Sequence, residues 1–278
     1  MFYMEHFTLE LLAKWDPTHF AAHCAVPRIS LCLLVSPLGD GTEIIMTYVI
    51  SDIHGDFERY QKMLDLIKLD EDRDVLFVLG DVLDYGEGSF QILLDMSSRP
   101  NVYPILGEHE CMAMPLLKKL AGDISEKAIA KFDAATMQSF MEWGKNGGQE
   151  TVRAFRELDP DDREWVLEYL EEFTPYEEID VGDKTFVLVH AGLDNFSLSR
   201  DLEDYDIDEL IHESPDYSRI YFSDKILVTG HKPTVEIHKG SKGKIFQLNG
   251  HVAIDCGAAY GLPLGCLRLD DMKEFYVD

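Results

Sequence analysis

Five short clusters of aspartate, glutamate and histidine each follow directly on an apolar, strand-like run of the sequence. They are Asp52-Ile53-His54, Gly80-Asp81-Val82-Leu83-Asp84, Gly107-Glu108-His109-Glu110, Val189-His190 and Gly230-His231. Carboxylate oxygens and imidazole nitrogens that converge from strand ends are the ligand types of dinuclear metal centres that activate water. The pattern therefore predicts a two-metal hydrolytic site.

The spacing within the clusters indicates what each side chain could do. Asp52 and His54 lie two residues apart in an extended segment, so both project from one face and could hold one cation. Asp81 follows the second strand, where a carboxylate could bridge two cations. A single histidine at the end of an apolar strand is usually a buried, hydrogen-bonded residue, but His190 and His231 both stand there beside glycine or Ala-Gly. Two such histidines favour metal ligands, and the ordered set is more specific than any member.

The elements that must position these side chains alternate between strand and helix. Strands are predicted over 47–51, 75–79 and 102–106. An amphipathic helix over 56–68 and a helix over 87–97 lie between them. This β-α-β-α-β order predicts parallel pairing with right-handed crossovers. The clusters then lie at the carboxyl ends of the strands, where open α/β sheets place their sites.

The second half of the chain begins with a long helical segment and returns to strands. Residues 111–178 carry no cluster and are interpreted as a helical insertion beside the site, with Asp159-Pro160 as an N-cap and first-turn proline. Further strands are predicted at 185–189, 226–229, 251–255 and 266–269.

The charge and the cysteine content of the chain limit which classes of partner and which cellular compartment are expected. The chain of 278 residues has 52 acidic and 25 basic residues, a formal net charge of -27. This argues against nucleic acid or an anionic membrane surface as a partner, because both require clustered cations. The five cysteines are an odd number without a Cys-x-x-Cys spacing, which favours a reducing cytoplasm. No apolar run approaches the length of a membrane span.

Residues 1–46 differ from the rest of the chain. Their His, Cys and Pro residues show no period, and they end close to the turn-forming stretch Pro37-Leu38-Gly39-Asp40-Gly41. One hypothesis is that Met46 is the true start and that the preceding residues are an appended leader. The alternative is an ordinary N-terminal extension. The predicted domain covers residues 47–278.

The ordered clusters resemble the motifs of the calcineurin-like metallophosphoesterases, and most closely those of the bacterial and phage-type branch of the phosphoprotein phosphatases. That family carries Asp-x-His, Gly-Asp-x-x-Asp-Arg-Gly, Gly-Asn-His-Glu and two separate histidines. The resemblance covers roughly residues 47–278. It implies an α/β fold in which two sheets form a β-sandwich flanked by helices, a four-layer αββα arrangement with a helical insertion.

The resemblance also implies the site and its chemistry. The first metal ion would be held by Asp52, His54 and Asp81, and the second by Asp81, Glu108, His190 and His231. His109 would protonate the leaving oxygen while Asp84 orients it, and a metal-activated hydroxide would attack phosphorus. Manganese or iron is expected at these mixed sites, and zinc is a further option.

Three positions depart from the family pattern. Glu108 stands in place of the family's asparagine, Tyr85 in place of an arginine that grips phosphate, and Ser214 where bacterial members carry a second arginine. A charged ligand and two missing cations predict slow turnover. The expected function is a phosphoprotein phosphatase-like hydrolase that acts on a phosphorylated protein or small phosphate ester. The alternatives are a metal-binding relative without turnover and a dinucleotide polyphosphate hydrolase.

Overall fold

A computed structural model describes residues 45–278 of the protein. The hypothesis of an appended leader concerns residues that lie, apart from Ile45 and Met46, outside this part of the chain. No helix within residues 45–278 is long and apolar enough to cross a bilayer.

The first of two five-stranded sheets carries the predicted parallel core. β1 (Thr47–Ile50) pairs in parallel with β2 (Val75–Val78), which pairs in parallel with β3 (Val102–Pro104). Two antiparallel strands, β9 (Leu264–Arg268) and β10 (Lys273–Val277), complete the order β10-β9-β1-β2-β3. The predicted β-α-β-α-β unit is confirmed, because α1 (Phe57–Ile67) and α2 (Ser89–Ser98) connect the parallel strands.

The second sheet has the order β4-β5-β6-β8-β7. Its strands are β4 (Tyr176–Val181), β5 (Lys184–Val189), β6 (Lys225–Thr229), β7 (Phe246–Leu248) and β8 (His251–Ala253). β5, β6 and β8 run parallel, and the edge strands β4 and β7 are antiparallel to their neighbours.

Helices occupy the sequence between β3 and β4. They are α3 (Glu108–Leu120), α4 (Glu126–Ile129), α5 (Ala134–Trp143), a π-helical turn (Gly144–Gly148), α6 (Gln149–Glu157) and α7 (Pro160–Leu170). The predicted cap of α7 is present, since the Asp159 side chain accepts from the N–H of Asp162 and Pro160 occupies the first turn. Two short helices, α8 (Ile207–Ile211) and α9 (Thr234–Ile237), lie in later connections.

The two sheets pack face to face. Successive side chains along each strand point to opposite faces, so the apolar core has one layer between the sheets and one on each outer side. Val49 of β1 and Leu188 of β5 lie in the apolar cluster between the sheets. Tyr48 and Ile50 face the helices on one outer side, and Val187 faces the layer of α8 on the other. Strands buried on both faces read as continuous apolar runs, which is why these segments are recognisable in the sequence. The expected helix-flanked two-sheet fold is confirmed.

Candidate metal centre

The predicted site residues lie in the turns that follow β1, β2, β5 and β6 and at the start of α3. Several of them have left-handed backbone conformations, which are uncommon for residues other than glycine. These are Asp52 (φ 53°), His54 (φ 48°), Asp81 (φ 53°), Asp84 (φ 71°), Tyr85 (φ 61°) and His231 (φ 64°). Such conformations concentrate at functional sites because the surrounding fold must hold them in place.

The carboxylate of Asp81 occupies the centre of the cluster. Its Oδ2 lies 3.4 Å from Nε2 of His190 and 3.9 Å from Nε2 of both His54 and His109. Its Oδ1 accepts the backbone N–H of His109 at 3.0 Å. Two compact groups of potential ligand atoms therefore share Asp81: one with His54 and His109, the other with His190 and His231.

Main-chain carbonyls orient two histidines so that their Nε2 atoms face this carboxylate. His54 Nδ1 donates to the carbonyl of Leu83 at 3.0 Å, and His190 Nδ1 donates to the carbonyl of Leu79 at 2.7 Å. The His54 ring is neutral, because burial lowers its pKa to about 4, and its Nε2 faces Asp81 as an acceptor. The His190 ring carries a proton in the metal-free protein, because the Asp81 carboxylate raises its pKa to about 10. The Nε2 atom of His190 is buried and has no hydrogen-bond partner. A cation beside Asp81 could take the place of the His190 proton, and the carbonyl contacts are the outer-shell partners typical of metal-binding histidines.

Glu108 and Asp52 both contact His231. Glu108 Oε2 lies 3.6 Å from Nδ1 of His231. The Asp52 carboxylate accepts the backbone N–H of His231 with both oxygens, at 2.9 and 3.1 Å. Neither Asp52 nor Glu108 belongs to a compact group of ligand atoms among the described residues. Asp52 supports the turn that carries His231, and Glu108 Oε1 lies 3.9 Å from Nε2 of His212. The roles of Asp52 and Glu108 as ligands stay predictions.

His109 is held by a buried network that reaches into the helical insertion. Its Nδ1 donates to Asp84 Oδ2 at 2.6 Å, and the indole Nε1–H of Trp143 donates to the same oxygen at 2.8 Å. The hydroxyl of Thr151 donates to the other oxygen of Asp84. Because Asp84 is fully buried and its oxygens are occupied, the Nε2 atom of His109 is fixed in its direction toward the cleft.

Glu110 fastens the loop that carries Asp81. Its fully buried carboxylate accepts four backbone N–H groups, those of Asp81, Val82, Leu83 and Gly107, at 2.8 to 3.1 Å. A side chain at Gly107 would collide with Asp81 Oδ1 and Glu110 Oε2, since a Cβ there would lie 2.4 and 2.6 Å from them. Glu110 therefore positions the loop without entering the cleft.

The pKa values of the site follow from burial and from these contacts. Burial lowers the pKa of His54 to about 4. Burial acts in the same direction on His190 and His109, but the Asp81 carboxylate outweighs it and raises their pKa values to about 10 and about 9. Burial alone would raise the pKa of Asp81, yet His190 and His109 lower it well below its usual range. Asp81 is therefore an anion at neutral pH.

Two tyrosines stand at the mouth of a small pocket above these groups. Tyr85 and Tyr260 are 40% and 68% exposed, and their ring centroids are 6.5 Å apart. Tyr85 packs edge-on against His54 at 4.9 Å and leans on Gly147, where a Cβ would come within 3.0 Å of it. A larger trough of about 590 Å³ begins beyond Tyr260. Among the described residues that line either space, Lys232 is the only lysine or arginine.

Sequence patterns did not reveal every residue at the site. Trp143 and Thr151 lie in the insertion, and nothing in the sequence pairs them with Asp84. Asp255 is not among the predicted site residues, yet it lines the small pocket, and burial raises its pKa to about 7. Its position after β8, at a strand end like the other clusters, was the available signal.

Comparisons with known proteins agree with this geometry. Residues 45–257 match the family model described as calcineurin-like phosphoesterase. A symmetrical bis(5'-nucleosyl)-tetraphosphatase of Methylobacillus flagellatus is 29% identical over 148 residues, which is 53% of this chain and 43% of that protein. The enzyme of the same name from Wigglesworthia glossinidia brevipalpis is 29% identical over 98 residues, 34% of this chain and 36% of that protein. The matched segments thus span less than half of the length of these relatives.

Two solved structures share the fold. A crystal structure of a candidate diadenosine tetraphosphatase has a TM-score of 0.59 and 16% identity, and covers 86% of this chain and 95% of its own. A protein serine/threonine phosphatase of Saccharomyces cerevisiae has a TM-score of 0.50 and 13% identity, with 82% and 73% covered. The family match extends over most of the chain, and the two-sheet fold and the shared-carboxylate cluster accompany it. The chain belongs to the calcineurin-like phosphoesterase family.

Proposed function

We propose that this protein is a hydrolase of phosphoric esters that works with two divalent cations. The observation that supports this most strongly is the position of Asp81, whose carboxylate belongs to two compact groups of ligand atoms, one with His54 and His109 and the other with His190 and His231. Asp52, His54 and Asp81 would hold one cation, and Asp81, Glu108, His190 and His231 the other. Cations bound there supply Lewis acidity, lower the pKa of a water and neutralise phosphate charge. Manganese or iron suits the mixed ligand set, and zinc is a further option.

The protein's own acid for this reaction is His109. In the metal-free protein the Asp81 carboxylate and the hydrogen bond to Asp84 raise the pKa of His109 to about 9, and the Asp84 contact favours the protonated ring in the same direction when cations are bound. Asp84 receives Nδ1–H, which leaves Nε2–H to donate a proton to the departing oxygen. Asp84 acts through His109 and does not reach the cleft, because it is fully buried under Trp143 and Thr151.

We propose that turnover is slow. Glu108 adds a carboxylate to the cleft, and Tyr85 supplies a phenol at the position of the family's arginine. Ser214 lines the trough and likewise supplies no charge. A charge-assisted hydrogen bond contributes about 1.5–3 kcal/mol. The loss of one such contact with the transition state therefore costs about tenfold to a hundredfold in rate.

Two substrate classes are candidates. A phosphorylated protein suits the trough next to the small pocket, whose volume of about 590 Å³ could hold a few side chains of a peptide. A dinucleotide polyphosphate is favoured by the exposed pair Tyr85 and Tyr260, on which a base could stack, and by the names of the curated relatives. A net charge of -27 supports neither nucleic acid nor a membrane as a partner. The free thiols Cys111, Cys256 and Cys266 support a cytoplasmic location.

The test is hydrolysis of p-nitrophenyl phosphate by the purified full-length chain with added manganese, followed by a phosphopeptide and diadenosine tetraphosphate. We expect slow, chelator-sensitive hydrolysis that Asp81→Asn abolishes. Manganese binding without turnover of any of the three substrates would instead support a binding module. Hydrolysis that persists in Asp81→Asn would contradict the proposed centre.

A further inference from the structure

The π-helical turn between α5 and α6 supplies one polar side chain to the small pocket, that of Asn146. Asn146 lies in none of the five motif clusters. It is the only residue with a side-chain amide among the described residues that line this pocket. Asn146 is also exposed, so a ligand in the pocket can reach it.

The backbone at Asn146 is held in place by a close contact with the loop of Tyr85. Asn146 (φ -94°, ψ 30°) and Gly147 (φ 91°) depart from helical geometry, and the chain kinks there. The carbonyl of Gly147 accepts the main-chain N–H of Tyr85 at 3.2 Å, and a Cβ at Gly147 would lie 2.8 Å from that nitrogen. Short π-type turns between helical segments are frequent at functional sites. The kink therefore fixes Asn146 beside the residue that replaces the family's arginine.

The side-chain amide of Asn146 has hydrogen-bonding capacity that the protein does not use. Its Nδ2 donates to the main-chain carbonyl of Glu142 at 3.1 Å, one turn earlier in the chain. Among the described residues, Glu142 is the one hydrogen-bond partner of this amide. An amide nitrogen carries two hydrogens. One N–H therefore restrains the side chain, and the other is free to donate to a ligand.

The small pocket needs such a donor if it is to hold a phosphate. Asp81, Glu108 and Asp255 line it, whereas no lysine or arginine is found among its described lining residues. Bound cations would contact only some of the oxygens of a phosphoryl group. The remaining oxygens require N–H or O–H donors, because a charged acceptor without a partner costs free energy. A neutral amide can supply this contact without a formal charge.

We propose that Asn146 binds the substrate, and that its second amide N–H donates to an oxygen of the phosphoryl group in the small pocket. This rests on the proposed phosphoesterase function and adds a residue of the helical insertion that the motif pattern does not contain. The ligand class is a dianionic phosphate, either esterified or free. Since the phosphoryl group is present in substrate, transition state and product, the contact contributes to the affinity for inorganic phosphate as well as to kcat/KM.

The test is a calorimetric titration of the manganese-loaded full-length protein with inorganic phosphate. Asn146→Ala is expected to weaken phosphate binding by about tenfold, which is the effect of one hydrogen bond to a charged group. Gln138→Ala is the matched control, because Gln138 is an exposed amide of α5 that donates to the Glu142 side chain at 3.2 Å and does not line the pocket. Thermal unfolding of each variant shows whether the fold is retained.

A second pair of variants gives a gain of affinity. Asn146→Arg is expected to tighten phosphate binding by at least about threefold, because a guanidinium binds phosphate through charge-assisted hydrogen bonds. Gln138→Arg adds the same charge outside the pocket and should change the affinity by less than about twofold, since salt screens exposed charges.

Two results would overturn the assignment of Asn146. These are an unchanged phosphate affinity in Asn146→Ala and an equal tightening in Asn146→Arg and Gln138→Arg. In either case hydrolysis of p-nitrophenyl phosphate by the wild-type chain would leave the proposed function intact. A wild-type chain that binds phosphate about tenfold more tightly than Asn146→Ala but hydrolyses no ester would support the contact and refute the proposed hydrolysis.

Discussion

The indole of Trp143 donates a hydrogen bond of 2.8 Å to the carboxylate of Asp84, although the two residues are 59 positions apart. Asp84 in turn receives Nδ1–H of His109 at 2.6 Å. The last residue of α5 is therefore connected to the candidate general acid through one carboxylate. The helices between β3 and β4 therefore contact the network that orients His109, in addition to covering the sheet.

Trp143→Phe is expected to reduce kcat about tenfold while the fold is kept. The variant removes a hydrogen bond to a charged group, a contact of about 1.5–3 kcal/mol, only part of which reaches the reaction through His109. Steady-state kinetics with p-nitrophenyl phosphate measures the effect. Trp165→Phe is the control, because Trp165 stacks on Tyr169 in α7 and does not contact Asp84. Equal losses in both variants would show that the effect is one of general packing.

His109→Asn is expected to slow hydrolysis in a manner that depends on the leaving group. Removal of a general acid typically costs about 10²–10⁴-fold when the departing oxygen needs a proton. An alkyl phosphate should show the full loss, and p-nitrophenyl phosphate a smaller one, because nitrophenolate leaves without protonation. Comparison of kcat for the two substrates checks this. An identical loss with both would speak against proton donation by His109.

Glu110→Gln is expected to destabilise the protein by about 2–4 kcal/mol, since buried N–H groups left without acceptors cost about 1–3 kcal/mol each. The wild-type carboxylate accepts four backbone N–H groups with two oxygens, whereas an amide offers one oxygen and two competing donors. Urea denaturation of the metal-free protein gives the difference. Glu168→Gln, at an exposed position of α7, should change the stability little. A neutral result at Glu110 would mean that the loop of Asp81 does not depend on this network.

Glu108→Asn is expected to raise kcat at saturating manganese and to weaken metal binding. The substitution removes a negative charge from the path of the phosphate and restores an amide donor. It also removes the carboxylate whose Oε1 lies 3.9 Å from Nε2 of His212. The two effects separate when activity is measured as a function of manganese concentration. If kcat at saturation does not increase, Glu108 is not the cause of slow turnover.

Much of the fold can be predicted from the sequence because the central strands are buried on both faces. β1, β2, β5 and β6 form continuous apolar runs, and polar ligands appear only where each run ends. The edge strands β4 and β10 were not predicted. Glu177-Glu178 and Lys273-Glu274 give them charged faces, as is usual at the edge of a sheet.

The candidate site can be predicted from the sequence only in part. The strand-end rule brings Asp81, His190 and His231 to one edge, and the structure places them in one compact group. The contacts of Trp143 and His212 depend on how α5 and α8 sit against the sheets. No local pattern encodes that placement, since each contact joins segments far apart in the chain.

The central claim is that two cations lie side by side on Asp81. Anomalous diffraction from crystals of the full chain soaked in manganese measures this directly. We expect two peaks about 3.5–4 Å apart, both adjacent to the Asp81 carboxylate, with His54 beside one and His190 and His231 beside the other. Well-diffracting soaked crystals with no peak at Asp81, or with a single peak remote from it, would contradict the account.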